Sequence, residues 1–304
     1  MKQTIIMQLY KTVFKCLRRN TIMTNFKIPT ESEFIEADGT RYAYRKFGTQ
    51  DGIPVVFLVH FRGTMENWDP NMLEPIANTR PVILFDNKGV GETDGLTPTT
   101  IADMAKDTAT FIKTLGLEQV DILGFSIGGM VAQELVLQEG DLVRKIIMAG
   151  TSPESGINPN PEIFERMNRH GGTEEDGIND FMFFFYGQTE TSKSAGMASL
   201  KRIFNQKKVN SSEQVKEAQL QAIAKWAKQK PNHDYEWLQN IKHPVLVTNG
   251  VNDVMVPTKN SYILTEKLPK AQLIIYPDSG HGHLFQFPEL FAEHVNSFLD
   301  SNSY

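Results

Sequence analysis

Gly124-Phe125-Ser126-Ile127-Gly128 decides how this chain is read. The apolar run Val120-Asp121-Ile122-Leu123 precedes it, and a helix-like run from Met130 to Leu137 follows. A strand that turns sharply into a helix with serine at the apex is strained. The strain holds the hydroxyl out at the sheet edge, away from the core. Small residues at 124 and 128 let the backbone turn without clashes. A serine so placed can act as a nucleophile if a base reaches it. Five residues alone are a weak signal, and the competing reading is a serine near a helix N-terminus in a glycine-rich turn. The flanking strand and helix are the context that the nucleophile reading requires.

A serine nucleophile needs a general base, and the base needs an orienting acid. Downstream, the apolar run Val245-Leu246-Val247 leads into a loop that carries Gly250 and Asp253. Further on, Leu273-Ile274-Ile275-Tyr276 ends in a turn that carries Gly280 and His281. The chain order is serine, aspartate, histidine, each just past a predicted strand. Catalytic groups of open α/β sheets sit at the carboxyl ends of strands, so three remote residues can converge there.

On these residues the chain resembles the α/β-hydrolase family, from about Phe34 to Leu299. The resemblance rests on Val59-His60-Phe61-Arg62-Gly63, Phe85-Asp86 with Gly89-Val90-Gly91, the serine pentapeptide, Asn252-Asp253 with Pro257, and Gly280-His281-Gly282, all in the family's order. It implies Ser126 as nucleophile, Asp253 as acid and His281 as base. It is similar to the cofactor-free esterase and haloperoxidase-like branch with a small helical cap. The implied oxyanion hole uses two backbone N–H groups, those of Ile127 and Phe61. His60-Phe61-Arg62-Gly63 departs from the His-Gly start of many relatives, so Phe61 is expected to narrow the pocket mouth.

Each residue has a rival. His283 lies two positions past His281 and reads as a solvated loop histidine. Asp278 is a rival acid, but it sits too close in sequence to approach the imidazole from the correct side. Asp253 alone could be a turn aspartate bonding its own backbone. His60 reads as a buried histidine that bonds its own loop. Gly89-Val90-Gly91 lacks a third glycine at the dinucleotide spacing and reads as a tight turn. No metal-ligand or Walker-type pattern is present, so neither a metal nor a nucleotide cofactor is expected.

The 304 residues suit one large α/β domain with an insertion, or two domains. The expected fold is a mostly parallel sheet with helices on both faces. Strands are predicted at Pro54–His60, Pro81–Asp86, Arg144–Ala149, Pro244–Thr248 and Gln272–Tyr276, and a hairpin turns at Asp38-Gly39. Continuous apolar strands imply a sheet covered on both faces. Helices are predicted from Ile101 to Leu115 and from Pro288 to Leu299. Residues 26–150 and 241–304 form the expected core. The rhythm breaks over 151–240, which reads as a helical cap, with Phe181-Met182-Phe183-Phe184-Phe185-Tyr186 at its centre. Most of that aromatic run is expected to pack, with one or two members reaching the pocket.

A formal net charge of −5 argues against a nucleic-acid partner. No apolar run is long enough to span a bilayer. The single cysteine, Cys16, excludes an intrachain disulfide and fits a reducing, cytoplasmic setting. Residues 1–25 mix basic and apolar side chains and read as a flexible extension, with Met23 as an alternative start, or as an amphipathic helix at a membrane surface. The oligomeric state is left open. The expected activity is hydrolysis of a small-molecule carboxylic ester through an acyl-enzyme. Perhydrolysis of the haloperoxidase-like kind and slow-turnover ligand reception are the alternatives.

Overall fold

The computed structural model describes residues 28–168, 173–207, 209–229 and 234–302, so the extension at 1–25 lies outside the described residues. Strands β1 (Glu33–Ala37) and β2 (Thr40–Gly48) form the expected hairpin. Asp38 and Gly39 both take positive φ, at 48° and 71°, as a tight two-residue hairpin turn requires. Then follow β3 (Val55–Leu58), α1 (Pro70–Ala77), β4 (Pro81–Phe85), α2 (Ile101–Thr114), β5 (Val120–Phe125), α3 (Ile127–Gln138) and β6 (Val143–Ala149). Four helices come next: α4 (Pro161–Asn168), α5 (Glu174–Phe185), α6 (Glu190–Phe204) and α7 (Glu213–Ala227). The chain closes with β7 (Val245–Gly250), α8 (Lys259–Lys267), β8 (Ala271–Tyr276), α9 (His283–Gln286) and α10 (Pro288–Asp300).

The eight strands form one sheet in the order β1-β2-β4-β3-β5-β6-β7-β8. Strand β2 runs antiparallel to both β1 and β4, and the remaining pairs are parallel. Parallel neighbours need crossover connections, and these supply the helices. Every residue of β3, β4 and β5 is buried, as expected for a sheet covered on both faces. Side chains alternate between those faces. Val56, Leu58, Ile122 and Met148 pack with α2 and α3, while Phe57, Leu84, Leu123 and Ile147 pack with α1 and α10.

Local signals set the helix ends. Thr100 caps α2 by accepting from the Asp103 N–H, and Gly116 follows its end at φ 73°, a left-handed conformation that glycine adopts readily. Pro288 opens α10, where a missing N–H costs nothing. Two boundaries differ from expectation. Strand β3 ends at Leu58 rather than His60, because Val59 and His60 already belong to the loop that turns toward the serine. Helix α3 begins at Ile127 rather than near Met130, because the turn at Ser126 is complete within one residue.

Candidate active site

Ser126 is the single residue between β5 and α3, with φ 59° and ψ −121°. A non-glycine residue in such a conformation carries strain of about 1–3 kcal/mol, which the surroundings must impose. They do so through hydrogen bonds. The Ser126 N–H donates to the Ala149 carbonyl at 2.9 Å, and Thr151 Oγ1 donates to the Ser126 carbonyl at 2.8 Å. Gly128 lets α3 start hard against β3: a Cβ there would lie 2.0 Å from the Leu58 carbonyl oxygen. A Cβ on Gly124 would lie 2.4 Å from the Gly128 carbonyl oxygen. Both glycines of the pentapeptide are therefore required by close approach.

His281 lies in the loop after β8 and is 1% exposed. Its Nδ1 meets Asp253 Oδ2 at 2.7 Å. A carboxylate accepts, so this bond puts the imidazole proton on Nδ1 and leaves Nε2 as the acceptor. The rings of Phe125 and Phe185 flank the imidazole at 4.9 and 5.4 Å. Asp253 combines its two readings on separate oxygens. Oδ1 accepts from the N–H groups of Met255 and Val256 at 2.8 and 2.9 Å, as a turn aspartate does, and this leaves Oδ2 for the histidine.

The rivals have other duties. Asp278 Oδ2 accepts from Thr189 Oγ1 at 2.6 Å. His283 is not solvated, as its loop position suggests; it is fully buried. Its Nδ1 lies 3.1 Å from the His281 carbonyl oxygen and its Nε2 lies 3.0 Å from Thr248 Oγ1. Burial, with the nearby His281 adding to it, pushes the His283 pKa down to about 3. His60 is buried, and its Nδ1 lies 3.0 Å from the Phe61 carbonyl oxygen. Burial pushes its pKa down to about 4. Gly89-Val90-Gly91 forms a tight turn after β4, where Asp86 carboxylate oxygens accept from the N–H groups of Met65 and Glu92. Among the described residues, no group of three or more His, Cys, Asp or Glu side chains is arranged to hold a metal ion.

The loop after β3 carries Phe61, and Ile127 is the first residue of α3, so its N–H has no acceptor within the helix. Arg62 takes φ 59°, where the sequence offers no early glycine. Two side chains from the 151–240 segment hold it there. Gln219 Oε1 accepts from the Arg62 N–H at 2.6 Å, and Ser211 Oγ donates to the Arg62 carbonyl at 2.6 Å. Gln219, Ser211 and Thr151 have no signature in the sequence, because each acts through one contact with a remote backbone group.

Ser126, His281, His60 and Phe61 line one cavity of about 320 Å³. Phe181, Phe184 and Phe185 of α5 complete its wall, so three members of the aromatic run reach it rather than one or two.

A family described as alpha/beta hydrolase fold matches residues 53–288. The chain belongs to that family. This α/β hydrolase is similar to an alpha/beta hydrolase fold protein from Chitinophaga pinensis, with 38% identity and a TM-score of 0.82, covering 91% of this chain and 99% of that one. It is 27% identical to a non-heme chloroperoxidase of Streptomyces lividans, covering 87% of this chain and 98% of that one. A structure titled Est816, an N-acyl homoserine lactone degrading enzyme, is 25% identical with a TM-score of 0.69, covering 88% of this chain and all of that one (100%). No helix among the described residues of this hydrolase is long and apolar enough to cross a membrane.

Proposed function

We propose that the protein is a serine hydrolase that cleaves carboxylic esters of small molecules through an acyl-enzyme. Ser126 is the nucleophile, His281 the general base and acid, and Asp253 the orienting acid. The observation that carries this reading is that Ser126, on its strained turn, shares a cavity with a histidine whose Nδ1 is bound to a buried aspartate.

The Ser126 oxygen bonds to the substrate carbonyl carbon as His281 Nε2 takes the hydroxyl proton. The N–H groups of Ile127 and Phe61 stabilise the oxyanion, and the start of α3 adds its dipole. The ester C–O bond then breaks, and His281 returns the proton to the departing alkoxide. Water repeats the sequence on the acyl-enzyme, releasing the acid and restoring Ser126. Asp253 stabilises the charged imidazole throughout. Residues 151–240 act as a cap, since α5 supplies aromatic cavity wall and α7 holds the loop at Arg62.

The test is hydrolysis of 4-nitrophenyl acetate and labelling by a serine-directed fluorophosphonate. Ser126→Ala should reduce kcat by a factor on the order of 10⁴ or more, and Asp253→Asn by ~10⁴. Residual turnover in Ser126→Ala equal to wild type, or label on another residue, would remove the triad. The chloroperoxidase relative favours a second reading, in which hydrogen peroxide replaces water and the acyl-enzyme yields a peracid. Bromide oxidation that requires both acetate and peroxide, and is lost in Ser126→Ala, would support it.

A further inference from the structure

Two hollows meet at Ser126, and His281 lines only one of them. The larger, about 320 Å³, holds His281 and the α5 rings. The smaller, about 60 Å³, lies on the other side of Phe61 and Met255, against Met130, Ile157, Ile223 and Val256. Its lining is mostly apolar.

We propose that the smaller hollow takes the acyl tail and the larger takes the alcohol, so the enzyme acts on short-chain aliphatic esters of bulky, aromatic alcohols. This rests on the serine-hydrolase reading above. When the acyl-enzyme forms, the ester C–O bond breaks and the departing oxygen must receive the proton that His281 took from Ser126. The alcohol therefore lies on the His281 side. The acyl carbon stays bonded to Ser126 and its tail points the other way. The smaller hollow has about a fifth of the larger one's volume, so it takes a short tail. Across Ser126, Phe181, Phe184 and Phe185 offer ring faces and edges to an aromatic alcohol, while Arg62, Arg166 and Asp180 line the same cavity and Arg166 pairs with Asp180 at 3.6 Å. Once the alcohol leaves, the vacated cavity admits the water that adds to the acyl carbon. That water's proton passes through His281 to Ser126 as the acyl–oxygen bond to the serine breaks.

Two ester series separate the hollows. One fixes 4-nitrophenol and lengthens the acyl chain from acetyl to octanoyl. The other fixes acetyl and compares phenyl with 1-naphthyl, two leaving groups of similar acidity. Wild type should peak between acetyl and butyryl and lose about tenfold in kcat/KM for each further methylene group that does not fit. It should also prefer naphthyl acetate. Ile223 is half-buried and touches only the smaller hollow. Ile223→Ala should move the chain-length peak upward and Ile223→Phe should move it down to acetyl, both keeping the naphthyl preference. Phe181→Ala should lower the naphthyl-to-phenyl ratio while the chain-length peak stays in place. Ser126-dependent turnover that favours octanoyl in wild type would overturn the assignment. So would a chain-length peak that follows Phe181→Ala instead of the Ile223 variants. Ester turnover that survives in Ser126→Ala sinks the serine-hydrolase reading itself, and is scored apart from the chain-length result.

Discussion

Both ring nitrogens of His283 are committed, and their partners fix its tautomer. The His281 carbonyl only accepts, so Nδ1 carries the hydrogen, and bare Nε2 accepts from Thr248 Oγ1. Burial keeps the ring neutral at pH 7 by pushing its pKa down to about 3. His283 is thus a strut from β7 to the backbone of the proposed base, and a positioning residue rather than a proton carrier. Asparagine can place an N–H near the Nδ1 position, whereas glutamine places it near Nε2. His283→Gln and His283→Phe should therefore lower kcat by about tenfold with KM nearly unchanged, the signature of a misplaced catalytic group. His283→Asn should recover most of that loss. Equal losses in all three variants would reduce His283 to a packing residue. The sequence does not reveal this role. Positions 281 and 283 stand in one short Gly-His-Gly-His turn, and neither periodicity nor spacing tells which side of a turn faces the core. Ser126, Asp253 and His281 stand out as candidates for the opposite reason: each follows an apolar strand, and strand ends define where side chains can meet.

At the scale of elements, the segment between β6 and β7 grips both sides of the site. The Phe185 carbonyl at the end of α5 accepts from the Gly282 N–H at 2.6 Å, beside His281. Gln219 of α7 holds the Arg62 N–H in the loop that carries Phe61. Gln219 is 3% exposed, so its amide oxygen replaces solvent as the acceptor for that N–H. Gln219→Ala should loosen the loop and lower kcat by about tenfold, below the 10²–10³ expected for losing an oxyanion donor outright. Gln219→Glu keeps an acceptor oxygen at the same reach and should restore most of the rate. A variant pair with equal kcat would break the link between α7 and the loop that carries Phe61. The core strands were legible because they are uninterrupted apolar runs, and their ends moved by only one or two residues. The packing of the inserted helices was not. Gln219 and Arg62 are 157 residues apart, and nothing local in either segment encodes the bond.

For the whole molecule, two neutral buried histidines set the response to acid. His60 and His283 have pKa values lowered to about 4 and about 3, so the folded state binds fewer protons than the unfolded chain. Their contribution to stability is fully present above pH ~6.5, the unfolded histidine value, and is lost as pH falls toward the folded values. By pH 5 the loss is about 2 kcal/mol for each histidine. Asp86 works in the opposite direction. Burial raises its pKa to about 6, against the two N–H bonds that lower it. A raised carboxyl gains stability as pH falls through 6 toward its unfolded value near 3.8. That gain is about 1 kcal/mol at pH 5, so it offsets only part of the histidine loss. Net stability should fall by about 3 kcal/mol between pH 7 and pH 5, which urea unfolding at the two pH values measures directly. His283→Asn removes one of the two titrating rings and should cut that difference by about two thirds. A wild-type unfolding free energy equal at the two pH values, or a slope unchanged in His283→Asn, would mean that the buried rings already carry their protons in the folded state.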